Sequence, residues 1–537
     1  MNKKIFLIAM STLVFMSCLN EQPKNQLPEE KIYDNAQNVY INTVATLYAY
    51  FGGTNDSQGL QGTYRGVYDY NTFTTDEAML PTRGGDWFDG GFWQSLYQHK
   101  WTPHDVALNN TWNYLFKIVT LCNCSLRNIE EHSELLTADQ KSSYEAEVRA
   151  VRAMFYFYLV DMFGRVPVIT SDKVPVNEIV QNKRSEVFRF AFNELQKVVS
   201  MLPPNKSSNT DGIYYGHVTR PVAFFLLAKL ALNAEVYSDD DWTDGIRPNG
   251  SNIFFTVGGH RLNAWQTTMA YCDSITASGY RLVSNYADNF KIHNETSPEN
   301  ILTIPMDKVL YPTLYKYLFR SRHYNHGAAI GFGAENGSCA TVSTVETFAY
   351  GTDSLDARYN LNFFSDTLRV KGAVVRLNNG DALVYKPLEA KLDLTGSAYE
   401  KTAGARMKKY EIDLTAYNDG QLQDNDIVLF RYSDVLLMKS EAKMRNNTDG
   451  SAELNMVRAR VGMPARQATF EDILNERLME LMWEGWRRQD LIRFDLFTSA
   501  YDQRTPLENE YTGYTTVFPI PANAIALNPL LTQNPGY

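Results

Sequence analysis

Apolar side chains recur every three or four positions over several separated stretches of this chain, and the clearest of them predicts a helix over residues 144–163. There Val148, Val151, Phe155, Tyr158, Leu159 and Met162 fall on one stripe, the spacing of an amphipathic helix. Gly164 stops it, and Val166, Pro167 and Val168 leave as extended chain. A second helix starts at Ser185 and runs to about Met201, where Pro203 and Pro204 end it. A third, over about 221–237, has Pro221 in its first turn and a run of Ala and Leu that permits close packing. Further helices are predicted over 265–278, 431–446, 451–461 and 470–486, several joined by short links. Stacked helix pairs have this form. No clean repeat of about 34 residues is visible, so tetratricopeptide-like units, if present, are degenerate.

Two stretches break the pattern. Residues 52–111 are rich in Gly, Asp and aromatics, and residues 279–426 mix Gly, Tyr and Asn with short β-like runs at 301–304 and 368–377. Long non-helical excursions from a rigid frame are where binding groups are carried.

The start of the chain has its own logic. Lys3 and Lys4 precede a twelve-residue run, 5–16, in which only Ser11 and Thr12 are polar. A helix crossing a bilayer needs roughly 20 apolar residues, so this run predicts a cleaved secretory signal over residues 1–17. Cys18 then falls at the first mature position, where a lipoprotein carries its acyl chains. The alternative is an ordinary signal that happens to contain a Cys. Residues 18–36 read as a lipidated tether and 37–537 as one domain, with loop-rich binding segments at about 52–111 and 279–426 and a helical frame at about 112–278 and 427–500. After Cys18 no second apolar run approaches spanning length.

Composition narrows the partners. A 44% apolar share supplies ample core, and 33 Tyr with 28 Phe suit either a thick core or surfaces that stack on flat ligands. The formal charge of −10 and the lack of a basic block argue against nucleic acid. Cys122, Cys124, Cys272 and Cys339 are too few for a disulfide scaffold and lack zinc spacing. They are expected to be mainly buried, with a disulfide left open.

Glu476, Glu480 and Glu484 repeat every four residues among Arg477, Arg487, Arg488 and Arg493. A glycosidase needs two acids flanking an open cleft. These acids are more easily satisfied by their arginines, and Arg149, Arg152, Arg431, Arg458 and Arg460 are expected to pin helix pairs in the same way. The segment 74–105 is different. It gathers Trp87, Trp93, Trp101, Tyr97, Phe88 and Phe92 beside Asp76, Glu77, Arg83, Asp86 and His104. Sugar rings present apolar C–H faces and a polar rim, so a carbohydrate site needs flat aromatics with hydrogen-bonding neighbours. Some of these rings also fit a core stripe, namely Trp93 and Tyr97 with Leu96, and Trp112 reads as buried in the next helix.

With those residues in view, the chain resembles the SusD/RagB family of outer-membrane nutrient-uptake lipoproteins. The matching segments are YEAEVRAVRAMFYFYLVDMFGRVPV (144–168), RPVAFFLLAKLALNAEVYS (220–238), DIVLFRYSDVLLMKSEA (426–442), LNMVRARVG (454–462), ILNERLMELMWEGWRRQDLIRF (473–494) and the end from Pro519-Ile520-Pro521 to Asn534-Pro535-Gly536-Tyr537. They recur in family order from about residue 40 to the end. The resemblance implies an all-α fold with little β structure: four tetratricopeptide-like helix pairs in a right-handed superhelical frame, with a variable loop-rich ligand lobe. It also implies a non-catalytic, lipid-anchored, surface-exposed protein of the outer membrane. Such a protein captures oligosaccharide or polysaccharide for a SusC-like TonB-dependent transporter. A peptide or glycopeptide cargo, and a surface hydrolase, are the alternatives.

By the same resemblance Asp76, Arg83 and Trp101 are expected to meet the ligand, with Trp87 and His104 beside them. Tyr311, Tyr324 and Phe332 are expected to form the facing aromatic wall. Relatives that bind starch carry a Trp there, whereas this chain has none between Trp265 and Trp483. No cofactor is expected. Calcium is left open, with Asp288, Asp424 and Asp426 as the matching oxygens and helix capping as their plainer role.

Overall fold

The computed structural model describes residues 32–537. The signal run, Cys18 and the first part of the tether lie outside the described residues. The frame is a succession of helices, each packed on its neighbours in sequence: α1 (Val106–Glu131), α2 (Ala138–Phe163), α3 (Arg184–Val198), α4 (Arg220–Leu232) and α5 (Ala264–Ala277). After the second loop-rich stretch, which contains the short α6 (Tyr324–Ile330), come α7 (Tyr432–Arg445), α8 (Ser451–Arg460), α9 (Phe470–Leu481) and α10 (Arg487–Arg493). Helix α2 lies against both α1 and α3, α4 against α5, and α5 against α7, which in turn carries α8 and α9. The all-α expectation therefore holds. Strand structure among the described residues is limited to six two-stranded pairs.

Local chemistry explains the boundaries. Helix α2 begins earlier than its apolar stripe because Thr137 and Gln140 form a capping box, and it ends at Gly164, where φ is +63°. From Ala146 to Phe163 nearly every residue is buried, so this helix is the axis of the core rather than an amphipathic cover. The predicted helix over 221–237 breaks at Asn233. The one predicted over 470–486 stops at Leu481, since Trp483 and Gly485 take positive φ. That turn carries Glu484 off the helix toward Arg431 and Lys409.

The loop-rich lobe is tied to the frame by one antiparallel pair, β1 (Asn300–Ile304) with β2 (Ile427–Arg431), in the register Ile304 to Ile427 and Thr303 to Val428. All ten residues are buried. Strand β2 runs straight into α7, so its last residue, Arg431, is that helix's N-cap. The terminal segment packs back on the frame: the Asn534 amide donates to the carbonyls of Phe163 and Phe518, and the Tyr537 hydroxyl donates to that of Val517. All four described cysteines are free thiols, three of them buried. No described helix is long and apolar enough to cross a membrane.

At the junction, five cations (Arg358, Lys409, Arg431, Arg458, Arg460) meet five carboxylates (Glu299, Asp356, Glu476, Glu480, Glu484), none more than 3% exposed. Arg431 alone reaches Glu299, Glu480 and Glu484. Removing one member of such a cluster strands its partners without water. Arg431→Met is expected to lower stability by about 3–5 kcal/mol, read as a fall in the urea midpoint. A midpoint within error of the parent would remove this cluster from the fold's supports.

Candidate functional site

The two loop-rich stretches meet at Trp87. Its backbone has φ +63°, a left-handed conformation that costs a bulky residue of order 1–3 kcal/mol and marks functional positions. The strain is compensated on the 332–337 segment. The indole N–H donates to the Glu335 carbonyl at 2.8 Å, and the ring lies over Gly337, where a Cβ would come within 2.7 Å of it. One residue back, Asp86 accepts from the Tyr324 hydroxyl at 2.7 Å and pairs with Lys401 at 2.9 Å. Tyr324 opens α6, and Phe332 follows that helix's C-terminal cap, Gly331. Trp87 and Phe332 are thus half-buried, Tyr324 is 41% exposed, and the neighbouring Phe88 is 59% exposed.

Charges around the rings are fixed. Hydrogen bonds from Lys401 and Tyr324 hold the Asp86 carboxyl below its usual range. Burial, reinforced by Asp86, pushes the Tyr324 hydroxyl well up, so it remains a donor. Glu335, raised by burial, accepts from Tyr64 at 2.6 Å. Beneath them, Arg320 makes a two-pronged bond to Asp69, both lengths 2.9 Å, with no water access. The resulting surface has flat apolar faces rimmed by one cation and two carboxylates.

Of the expected ligand contacts, the structure brings together Trp87 and Tyr324, while Phe332 lies at the other end of α6 with its ring against Arg322 and Gly420. It corrects three others. Arg83 is fully buried, and its guanidinium donates to the carbonyls of Gly337, Glu400 and Ala403; burial pushes its pKa down to about 9. It clamps the Gly337 segment and the 400–403 turn to its own loop, with no donor facing outward. Trp101 is 4% exposed and donates its indole N–H to Tyr537. Asp76 is paired through both oxygens with Arg487, each at 2.7 Å, which straps the first stretch to α10. His104 is exposed in the turn before α1, where its backbone N–H meets Thr102, and it joins none of the other candidates. Tyr311 is 44% exposed on a separate cleft of about 440 Å³, with Tyr48, Tyr215, His217, Pro305 and Pro312. The pattern of residues named Asp86 as a neighbour but gave no sign of Lys401 or Glu335, whose parts depend on contacts across 248 residues or more.

The carboxylates suggested for calcium do not converge. Asp424 pairs with Lys308 at 2.6 Å, Asp288 accepts from Asn285, and Asp426 accepts from Tyr215, Thr303 and the Met306 backbone. No group of three potential metal ligands occurs among the described residues. Glu476, Glu480 and Glu484 are buried in their ion pairs, away from any cleft.

Aromatics and fixed polar groups carried on loops thus sit on a frame of stacked helices. The chain belongs to the SusD family, whose model matches residues 230–537, while a second model, described as "Starch-binding associating with outer membrane", matches residues 30–232. It is 24% identical over 528 residues to the starch-binding protein SusD of Bacteroides thetaiotaomicron, spanning 89% of this chain and 87% of that one. Among solved structures it is similar to a laminarin-binding SusD-like protein, with a TM-score of 0.71 and 19% identity over 94% of this chain and 100% of the other. It is also similar to surface glycan-binding protein A from Bacteroides thetaiotaomicron in complex with laminarihexaose, with a TM-score of 0.67 and 19% identity over 93% and 98%.

Burial raises the Asp426 carboxyl from 3.8 to about 7. Folding therefore takes up a proton, and this part of the stability is complete below about pH 3.8 and lost as pH rises through about 7. Asp426→Asn is expected to shrink the fall in urea midpoint between about pH 5 and about pH 8. An unchanged fall would mean that another group titrates.

Proposed function

We propose that this protein is a non-catalytic glycan-binding lipoprotein of the outer-membrane surface, and that its ligand lies across Trp87 and Tyr324. The observation that carries the reading is the locking of these two rings, from two distant loop-rich stretches, around the Asp86–Lys401 pair. Pyranose faces pack on flat aromatics while hydroxyls take up the carboxylate, ammonium and phenol groups at the rim. Relatives whose names state starch or laminarin binding support the class of ligand. The burial of every carboxylate in the α9 cluster supports capture without hydrolysis.

In this reading Cys18 carries the acyl chains, residues 18–36 are the tether, and 37–537 the binding domain. The captured oligosaccharide or polysaccharide passes to a SusC-like TonB-dependent transporter. Arg83, Asp76 and Trp101 are positioning residues: each holds a loop that supports the aromatic face.

Affinity electrophoresis of the chain from residue 19 onward against a polysaccharide panel tests the proposal. Trp87→Ala and Tyr324→Ala are each expected to cost about 2 kcal/mol of binding, roughly 30-fold. Gly337→Ala, which displaces the Trp87 ring, is expected to weaken binding in the same direction with the melting temperature little changed. Tyr311→Ala, on the separate cleft, is expected to stay within about twofold, under 0.5 kcal/mol. Retention of every bound glycan by both aromatic variants would overturn the site.

A further inference from the structure

On the helical frame, a second cavity of about 290 Å³ opens between the start of α3, the loop after α4 and the chain following α10, lined by Arg184, Asp239, Trp242, Arg247, Tyr511 and Thr516 among others. Its distinctive member is Arg184, which is 1% exposed, yet whose Nε and Nη2 have no hydrogen-bond partner. Other fully buried arginines hold an acceptor even where Arg320 and Arg477 leave nitrogens over: Arg320, Arg358, Arg431 and Arg477 each hold a carboxylate, and Arg83 is matched by three carbonyls. The second unpartnered donor is the indole N–H of Trp242, itself 7% exposed. The Arg184 guanidinium lies 5.4 Å from the Trp242 ring centroid and 5.5 Å from that of Tyr237.

Buried donors without acceptors are costly, and a buried charge without a counter-charge more so. Asp161 and Asp239 act on Arg184 through space, but neither supplies an acceptor for its Nε or Nη2. Arg247 is paired with Asp495 at 2.7 Å. Asp239 accepts from the Asp241 backbone, and its carboxyl, raised by burial and lowered by Arg184, lines the same cavity. Burial also lowers Arg184 to about 10. The cavity exceeds the roughly 30 Å³ share of one water many times over, and it is open to solvent. We propose that it is an oxyanion-binding site, in which a carboxylate or sulfate group of a small solute or acidic sugar accepts from the Arg184 guanidinium and the Trp242 indole.

Isothermal titration calorimetry of the chain from residue 19 onward, with sodium glucuronate, sodium sulfate, glucose and sodium chloride at matched ionic strength, tests this. Saturable binding is expected for glucuronate or sulfate and absent for glucose and chloride; the two active arms tell carboxylate from sulfate. Arg184→Gln and Trp242→Phe are each expected to weaken binding at least tenfold, and Trp242→Phe, which keeps the aromatic wall, decides the matter if Arg184→Gln does not fold. Trp87→Ala is expected to leave this binding unchanged, which separates it from the glycan face. Absence of saturable binding in the parent would overturn the proposal. So would full retention in Trp242→Phe, or a loss in Trp87→Ala.

Discussion

Everything else in this molecule hangs on the guanidinium of Arg431, placed at the end of β2 and the start of α7. From there it grips Glu480 on α9, Glu484 in the turn beyond and Glu299 just before β1. Arg358, from the second loop-rich stretch, closes on Glu476 and Glu480. One buried cluster therefore joins the last helices to the seat of the loop-rich lobe. Its charges balance five against five, which is the condition under which burial of so many ions is tolerable. Burial opposes ionisation of Glu480, and Arg460, Arg431 and Arg358 outweigh it, holding the carboxyl well below its ordinary range.

This cluster braces the loops behind the Trp87–Tyr324 face without touching it. Arg358 and Lys409 belong to the second loop-rich stretch, in which α6 precedes Arg358 and Lys401 lies between the two. Above the cluster, Arg83 binds three carbonyls and Arg320 binds Asp69. These clamps are what allow Trp87 to remain in a left-handed backbone conformation, which an unsupported loop would relax. The face is thus ordered by the fold itself, which under the proposed reading lowers the entropic cost of binding there.

The frame was legible because helix formation and packing leave a local record: the stripe in α2, the proline at the start of α4 and the i, i+4 glutamates of α9 are visible within a few residues. The arginine–glutamate pinning could be anticipated on the same grounds, since a buried acid needs a nearby base. Exposure of individual rings could not. Trp87 and Trp101 sit in one aromatic-rich segment with similar neighbours. What separates them is that Tyr537, 436 positions away, takes the Trp101 N–H, whereas Trp87 rests on a glycine 250 positions on. Arg83 looked like a ligand contact for the same reason: its three acceptors are backbone carbonyls, which leave no trace in side-chain pattern. Asp76 was claimed by Arg487, an arginine the sequence had already assigned to the frame.

The contrast among buried arginines carries the physical argument one step further. Where a guanidinium serves the fold, its donors meet carboxylates or carbonyls, as at Arg431 and Arg83. Where it serves a rim, as Arg65 does between Asp56 and Asp89, it stays partly in water. Arg184 fits neither case, being as buried as the first group and without a partner for Nε and Nη2. The buried arginines of the core leave nitrogens over but each holds a carboxylate or a carbonyl, whereas Arg184 shares its cavity with the Asp239 carboxyl without a hydrogen bond to it. The unmet donors at Arg184 are therefore a feature of the cavity rather than of the core, and an acceptor from outside the chain is the group that completes it.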